Sequence, residues 1–204
     1  MTGGSSRPGR PALTAAQLAD RRRTVSDAAL TLFVSEGCDA VSIRRVADLA
    51  GVTPKTLYSY FDSKLGLLLS LWSDIFTDVF ASLDQVGPDD GELAHHINVC
   101  TAYVRYWIER PDHYRLVFMS GDVTQTDVKG FIDRSDITER FARLTAPLAW
   151  LGREAEHVSR ERSELLICAL HGIVHCQVTM TGHPWAPYGE LVNTLVRSIV
   201  HQSR

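Results

Sequence analysis

Apolar residues recur at three- and four-residue intervals along almost the whole chain, the period of a helix with one buried face. From Thr14 onward Leu18, Val25, Ala28, Ala29, Leu32 and Phe33 form a first stripe, which Gly37 should stop in a left-handed conformation. Ser42 is placed to cap a short helix carrying Ile43, Val46, Ala47 and Ala50, closed by Gly51. Thr53 and Pro54 open another helix at once, the proline at the first helical position where a missing N–H costs nothing. Helix, glycine-containing turn and helix is a helix-turn-helix layout. Beyond Asp62, a second candidate cap, a long stripe runs from Leu65 through Leu68, Leu69, Trp72, Ile75, Phe76, Val79 and Phe80 to Leu83. The pattern then predicts helices around Leu93–Ile108, residues 112–119, Ile137–Leu151 with a kink at Pro147, 162–180 and 188–203, with a loop at 120–128. No stretch alternates as a strand does, and no internal repeat is present. The expected fold is all-α: a flexible basic arm at 1–13, a three-helix helix-turn-helix head at 14–62 and a helical-bundle body at 63–204.

Charge changes the picture, because it is unevenly placed. The 204 residues carry a formal net charge of −3, yet residues 1–64 hold nine Lys/Arg against six Asp/Glu and residues 65–204 twelve against eighteen. A basic head on an acidic body suits a polyanionic partner for the head alone. The four cysteines, Cys38, Cys100, Cys168 and Cys176, form no CxxC pair, and the opening "MTGGSSRPGRPALT" has no apolar signal core. A reducing cytoplasm is therefore expected. Apolar runs such as "LGLLLSLW" are shorter than the ~18 residues of a membrane span, so no membrane role is expected.

The stretch "VTPKTLYSYFDSK" concentrates candidate nucleic-acid chemistry. In a helix-turn-helix the second helix enters the major groove with its first residues at base edges, while neighbouring groups hold phosphates. Pro54, Lys55, Thr56 and Tyr58 fall in those first turns, Tyr60 and Lys64 lie further along, and Leu57 and Phe61 supply the apolar underside. Arg44 and Arg45 begin the preceding helix, Arg44 being the better placed for a forked contact with guanine or phosphate. Arg7 and Arg10 in "RPGRP", with Arg21, Arg22 and Arg23, suit either an arm in a narrow minor groove or a solvated tail.

The run "ALTLFVSEGCDAVSIRRVADLAGVTPKTLYSYFDSKLGLL" resembles the DNA-binding head of the TetR family of bacterial transcriptional regulators. Phe33, Gly37, Ser42, Ile43, Ala47, Ala50-Gly51-Val52, Leu57-Tyr58, Tyr60-Phe61 and Lys64 through Leu68 stand in register, and the likeness spans about a quarter of the chain, Arg22 to Trp72. The resemblance implies DNA contacts at Arg44, Pro54, Lys55, Thr56, Tyr58 and Lys64, with Tyr60 at a phosphate; the position of Lys55 varies in the family and sets operator choice. It also implies a double-stranded, palindromic operator, a homodimer, and repression relieved by a small-molecule effector that spreads the heads through the long helix. "RPDHYRLVFM" and "ALHGIVHCQVTMTG" look like the subgroup whose C-terminal domain carries a Trp-His-Gly signature, with Leu170 where the tryptophan would stand.

In the body, Cys100, Tyr103, Trp107, Tyr114, Phe118, Met119, Trp150, His171 and His175 are large or polar-tipped groups at positions suited to lining a mostly apolar effector cavity, and equally to plain core. The helix at 162–180 is apolar nearly all round, so Leu166, Leu170 and Ile173, with Leu191, Leu195 and Ile199 of the last helix, are expected at a dimer interface. Cys168, His171 and His175 share a face at i, i+3 and i+7, but a fourth metal ligand is unassigned and core packing is the favoured reading, so neither metal nor cofactor is expected. No GxSxG, HExxH or GxxxxGK[ST] occurs, and an enzyme is not expected. A helical enzyme with an incidental head and a constitutive DNA binder without effector remain the alternatives.

Overall fold

The structure, a computed structural model, describes residues 14–89, 91–120, 123–147 and 156–201. All its regular elements are helices, with no strand among the described residues, and the chain separates into two compact units between Leu67 and Leu68.

The first unit contains α1 (Ala15–Ala40), α2 (Ile43–Leu49) and α3 (Pro54–Tyr58). Thr14 starts α1 by exchanging hydrogen bonds with Gln17, its hydroxyl accepting from the Gln17 N–H at 3.2 Å. Gly37 interrupts the end of α1 with φ 78° and ψ 164°, a backbone region open in practice only to glycine. Ser42 caps α2 and Thr53 caps α3, each hydroxyl accepting from the N–H three residues on, at 3.3 and 3.1 Å. The core comprises Val25, Ala29, Phe33, Val46, Ala47, Leu57 and Phe61. Leu57 and Phe61 are thus the underside their spacing predicts, and the Arg22 guanidinium of α1 lies 5.1 Å above the Phe61 ring.

Ser26 is buried in this core and its hydroxyl has no hydrogen-bond partner among the described residues. An unpaired buried hydroxyl is destabilising, and alanine is the better helix former. Ser26→Ala should therefore raise the head's stability by about 1 kcal/mol, read as a higher urea midpoint; a lower midpoint would mean that the hydroxyl finds a partner in solution.

The long helix α4 (Lys64–Asp84) begins at the end of the first unit and runs into the second. Ser63, rather than Asp62, caps it, accepting from the Gly66 N–H at 2.9 Å. Its 21 residues and mean hydropathy of 1.3 reach the length and apolarity of a membrane span, unlike the shorter runs picked out from sequence. Their apolar side chains are satisfied within the protein: Leu68, Leu71, Trp72, Ile75, Phe76, Val79 and Phe80 are all buried.

The second unit adds α5 (Glu92–Glu109), α6 (Pro111–Phe118), α7 (Gln125–Arg134), α8 (Ile137–Thr145), α9 (Glu156–Thr179) and α10 (Tyr188–His201). Helix α5 is central, packing against α6, α8, α9 and α10. Its Tyr106 hydroxyl donates to the Ile75 carbonyl of α4 at 3.4 Å and meets His113 Nδ1 of α6 at 2.9 Å, while Trp72 Nε1 donates to the Leu116 carbonyl at 3.3 Å. Helix α7 lies partly where the sequence pattern suggests a loop; its start is a reciprocal cap in which Thr124 and Asp127 bond each other's backbone N–H, at 3.2 and 3.0 Å. Helix α8 stops at Thr145, two residues before Pro147.

Candidate functional site

In the head, the two caps and the buried Leu57 hold α3 against its neighbours and turn the opposite side outward. Pro54, Lys55 and Tyr58 are exposed on that side, Tyr58 to 53%, and Tyr60 and Lys64 are half-buried beside them. Thr56 is half-buried with its hydroxyl 2.9 Å from that of Thr53, so its side chain is partly engaged in the cap. Arg44 is exposed and makes no ion pair among the described residues. Arg45, also exposed, forms a two-pronged ion pair with Glu36, Nη2 to Oε1 at 2.6 Å and Nη1 to Oε2. That hydrogen bond pulls the Glu36 carboxyl below its ordinary range, and it commits the Arg45 fork within the unit. The two adjacent arginines are therefore not equivalent. Arg7 and Arg10 of the arm lie outside the described residues.

The body residues marked for a cavity come together, but as a packed aromatic cluster. Cys100, Tyr103 and Trp107 have no exposed surface and Tyr114 almost none. Trp107 meets Tyr103, Tyr114 and Phe118 at ring distances of 6.1, 6.0 and 5.1 Å, and the Phe118 ring is 4.5 Å from His171. The Tyr103 hydroxyl and His171 Nε2 are hydrogen-bonded at 2.9 Å. Burial pushes the Tyr103 hydroxyl up and lowers His171 to about 4, so both are neutral near pH 7. Phe118 and Met119 reach the surface, His175 is exposed and Trp150 lies outside the described residues. Cys168 is exposed as well, and among the described residues no three His, Cys, Asp or Glu side chains are grouped to hold a metal.

A cavity of about 310 Å3 opens elsewhere, among α4, α5, α8 and the segment after α4. Its apolar wall is Phe80, Leu83, Val86, Val99 and Leu144, with His95, Asp84 and Arg140 as polar members. None of the residues marked from sequence lines it. Periodicity marks Phe80, Leu83 and Leu144 as inward positions, but only the packing of α8 shows that Arg140 borders the same space.

The dimer residues divide. Leu166, Leu170 and Ile199 are buried within this single chain, together with Val174, Val178, Val192 and Val196, so their apolar surface is already covered by the subunit's own core. Ile173, Leu191 and Leu195 are half-buried. The side of α9 left open carries Leu165, exposed to 52%, with Cys168, Gly172 and His175. A side chain added at Gly172 would meet nothing within 4 Å. A helix nearly all apolar thus keeps its largest leucines for itself and leaves a shallower stripe outside.

A capped recognition helix held across a turn from its supporting helix, with hydroxyls and cations outward, defines a helix-turn-helix head attached to an all-helical body. Residues 25–71 match the family described as bacterial regulatory proteins, tetR family. The chain is 39% identical over 66 residues to the HTH-type transcriptional repressor KstR of Mycobacterium tuberculosis, covering 32% of this chain and 30% of that protein. It is 28% identical over 110 residues to the HTH-type transcriptional activator FasR of Mycolicibacterium smegmatis, covering 53% and 50%. The chain thus spans 24–39% of the length of the KstR-type relatives it matches. In fold it is similar to a putative tetR family transcription regulator from Shewanella sp. PV-4, with a TM-score of 0.68 and 19% identity over 90% of this chain and 97% of that one.

Proposed function

We propose that this chain is a cytoplasmic, homodimeric transcriptional regulator, a repressor that leaves a palindromic DNA operator when its body binds a small, largely apolar molecule. The observation that carries the reading is the outward side of α3 and α2, where Lys55, Tyr58 and Arg44 stand exposed on a scaffold whose buried side is complete. A bundle built only for packing has no need of a large aromatic hydroxyl and unpaired cations together beside a capped helix start. Two matching heads would read half-sites about one helical turn apart. The second subunit's place is the open stripe of α9, Leu165, Cys168 and Gly172, where a bare glycine backbone admits a close neighbour. The effector's place is the cavity bounded by Phe80, Val99 and Leu144.

Selection of duplexes from a randomised pool tests the first part and should return a two-fold symmetric site. On that duplex, Arg44→Ala in both subunits should remove two phosphate contacts and flatten the salt dependence of log K by up to ~1.8 units. Lys55 and Thr56 substitutions should alter which duplexes are selected. No enrichment over the starting pool would overturn the DNA-binding reading.

A further inference from the structure

The sensor reading leaves the effector's chemistry open, and the cavity in the body narrows it. We propose that the ligand is an apolar carboxylate whose acid group is held by Arg140 while its hydrocarbon part fills the space against Phe80, Leu83, Val99 and Leu144. This proposal rests on the sensor reading of the same body.

Three features carry it. The volume, about 310 Å3, is roughly ten times the ~30 Å3 share of a liquid water, which suits a molecule of about ten to twelve heavy atoms. Phe80 and Leu83 of α4, Val99 of α5 and Leu144 of α8 give the hydrocarbon part of the ligand apolar side chains to leave water against. At its edge, Arg140 is fixed rather than loose: Nε donates to Asp136 Oδ2 at 2.6 Å and the guanidinium carbon sits 5.7 Å from the Phe80 ring centre. Among the described residues no hydrogen bond occupies its terminal nitrogens. A guanidinium held at Nε and backed by an aromatic face presents a ready pair of donors, the geometry that a carboxylate matches.

The other polar members set the orientation. Asp84 is exposed at its part of the rim and repels an anion there, which favours the pose with the acid at Arg140. His95 has Nδ1 tied to the Gly87 carbonyl at 3.2 Å, so that nitrogen is engaged within the protein and Arg140 is left as the guanidinium facing the space.

The test compares decanoate with decanol, equal in chain length and different in charge, by calorimetry on the full chain. Decanoate should bind about tenfold or more tightly than decanol, Arg140→Gln should abolish that preference, and decanol binding should be unchanged in the variant, which shows the cavity still formed. Equal affinity for both compounds, or a preference that survives Arg140→Gln, overturns the carboxylate assignment and leaves the sensor reading standing. No binding of either compound to the wild-type chain also overturns it. Operator affinity of the selected duplex, measured with and without decanoate, separates the two claims: Arg140-dependent binding that leaves DNA affinity unaltered keeps the ligand assignment and removes the sensor reading.

Discussion

Leu165→Glu should convert the protein to a folded monomer and lower its affinity for the symmetric duplex about 1,000-fold. Leu165 is a large apolar side chain, half exposed on α9, so a carboxylate there costs the subunit's own core little. At an interface between two such stripes it would place two carboxylates near a symmetry axis, where a buried charge costs several kcal/mol. With the dimer gone, each head binds its half-site alone; the second contact is no longer made at the ~mM effective concentration that a linked partner provides, and binding falls toward the non-specific level. Gly172→Leu is the informative companion. A glycine within a helix costs about 0.5–1 kcal/mol relative to alanine, and open space surrounds this one, so leucine should raise monomer stability while blocking close approach of a second helix. Opposite signs in thermal stability and in dimer mass are a signature that general damage does not produce. Leu170→Glu serves as the contrast: it buries a charge in the subunit's own core and should unfold the body. Light scattering and duplex titration decide the matter, and a Leu165→Glu protein that remains a dimer with unaltered affinity would place the second subunit elsewhere.

The sequence carries the head more fully than the body, for physical reasons visible at particular residues. In the head every local signal points the same way: Ser42 and Thr53 cap, Gly37 and Gly51 take φ values of 78° and 66°, and Leu57 and Phe61 face inward, as spacing requires. What spacing could not show is that Arg45 is committed to Glu36, because their pairing depends on how the end of α1 returns past α2. In the body, helical period finds the helices but not their neighbours. Helix α7 is short, buries only Phe131, and declares itself chiefly by the Thr124 and Asp127 cap. On α9, where almost every face is apolar, period cannot choose which face turns inward; contact with α5 and α10 selects Leu166, Leu170 and Val174 and leaves Leu165 outside. The cavity is still less legible, since aromatic residues at helical spacing are the same whether they line a space or fill it. Here Tyr103, Trp107, Tyr114 and Phe118 fill it, and the open volume lies beside the smaller Val99 and Leu144.

Acidification should unfold the body between pH 6.5 and about 4, ahead of any effect from the carboxylates. His96 has almost no exposed surface, its Nε2 lies 3.8 Å from Cys100 Sγ, and burial lowers it from 6.5 to about 4; burial lowers His171, hydrogen-bonded to Tyr103, to about the same value. Burial lowers His113 too. In the unfolded chain these rings take up protons as the pH falls below 6.5, whereas in the folded body His96 and His171 stay neutral until about 4. Their contribution is therefore intact above 6.5 and is lost progressively as pH falls through that window. At ~1.4 kcal/mol per pH unit, His96 and His171 each withdraw roughly 3 kcal/mol at the acid end, and together they rival the ~5–15 kcal/mol that holds a domain folded. Carboxylates contribute in the same direction but lower down: Glu36 and Asp127 are held below their ordinary values of 4.5 and 3.8 by hydrogen bonds. All four tryptophans, at 72, 107, 150 and 185, lie beyond the head, so their fluorescence reports on the body alone. Urea midpoints followed by that signal from pH 7 to 4.5 should fall steadily. His171→Gln, which keeps a hydrogen-bonding partner for the Tyr103 hydroxyl, should make the fall about half as steep. A midpoint that stays flat down to pH 5 would mean that the histidines take up protons in the folded body, and that their rings are not held away from water as the packing of α5 and α9 has them.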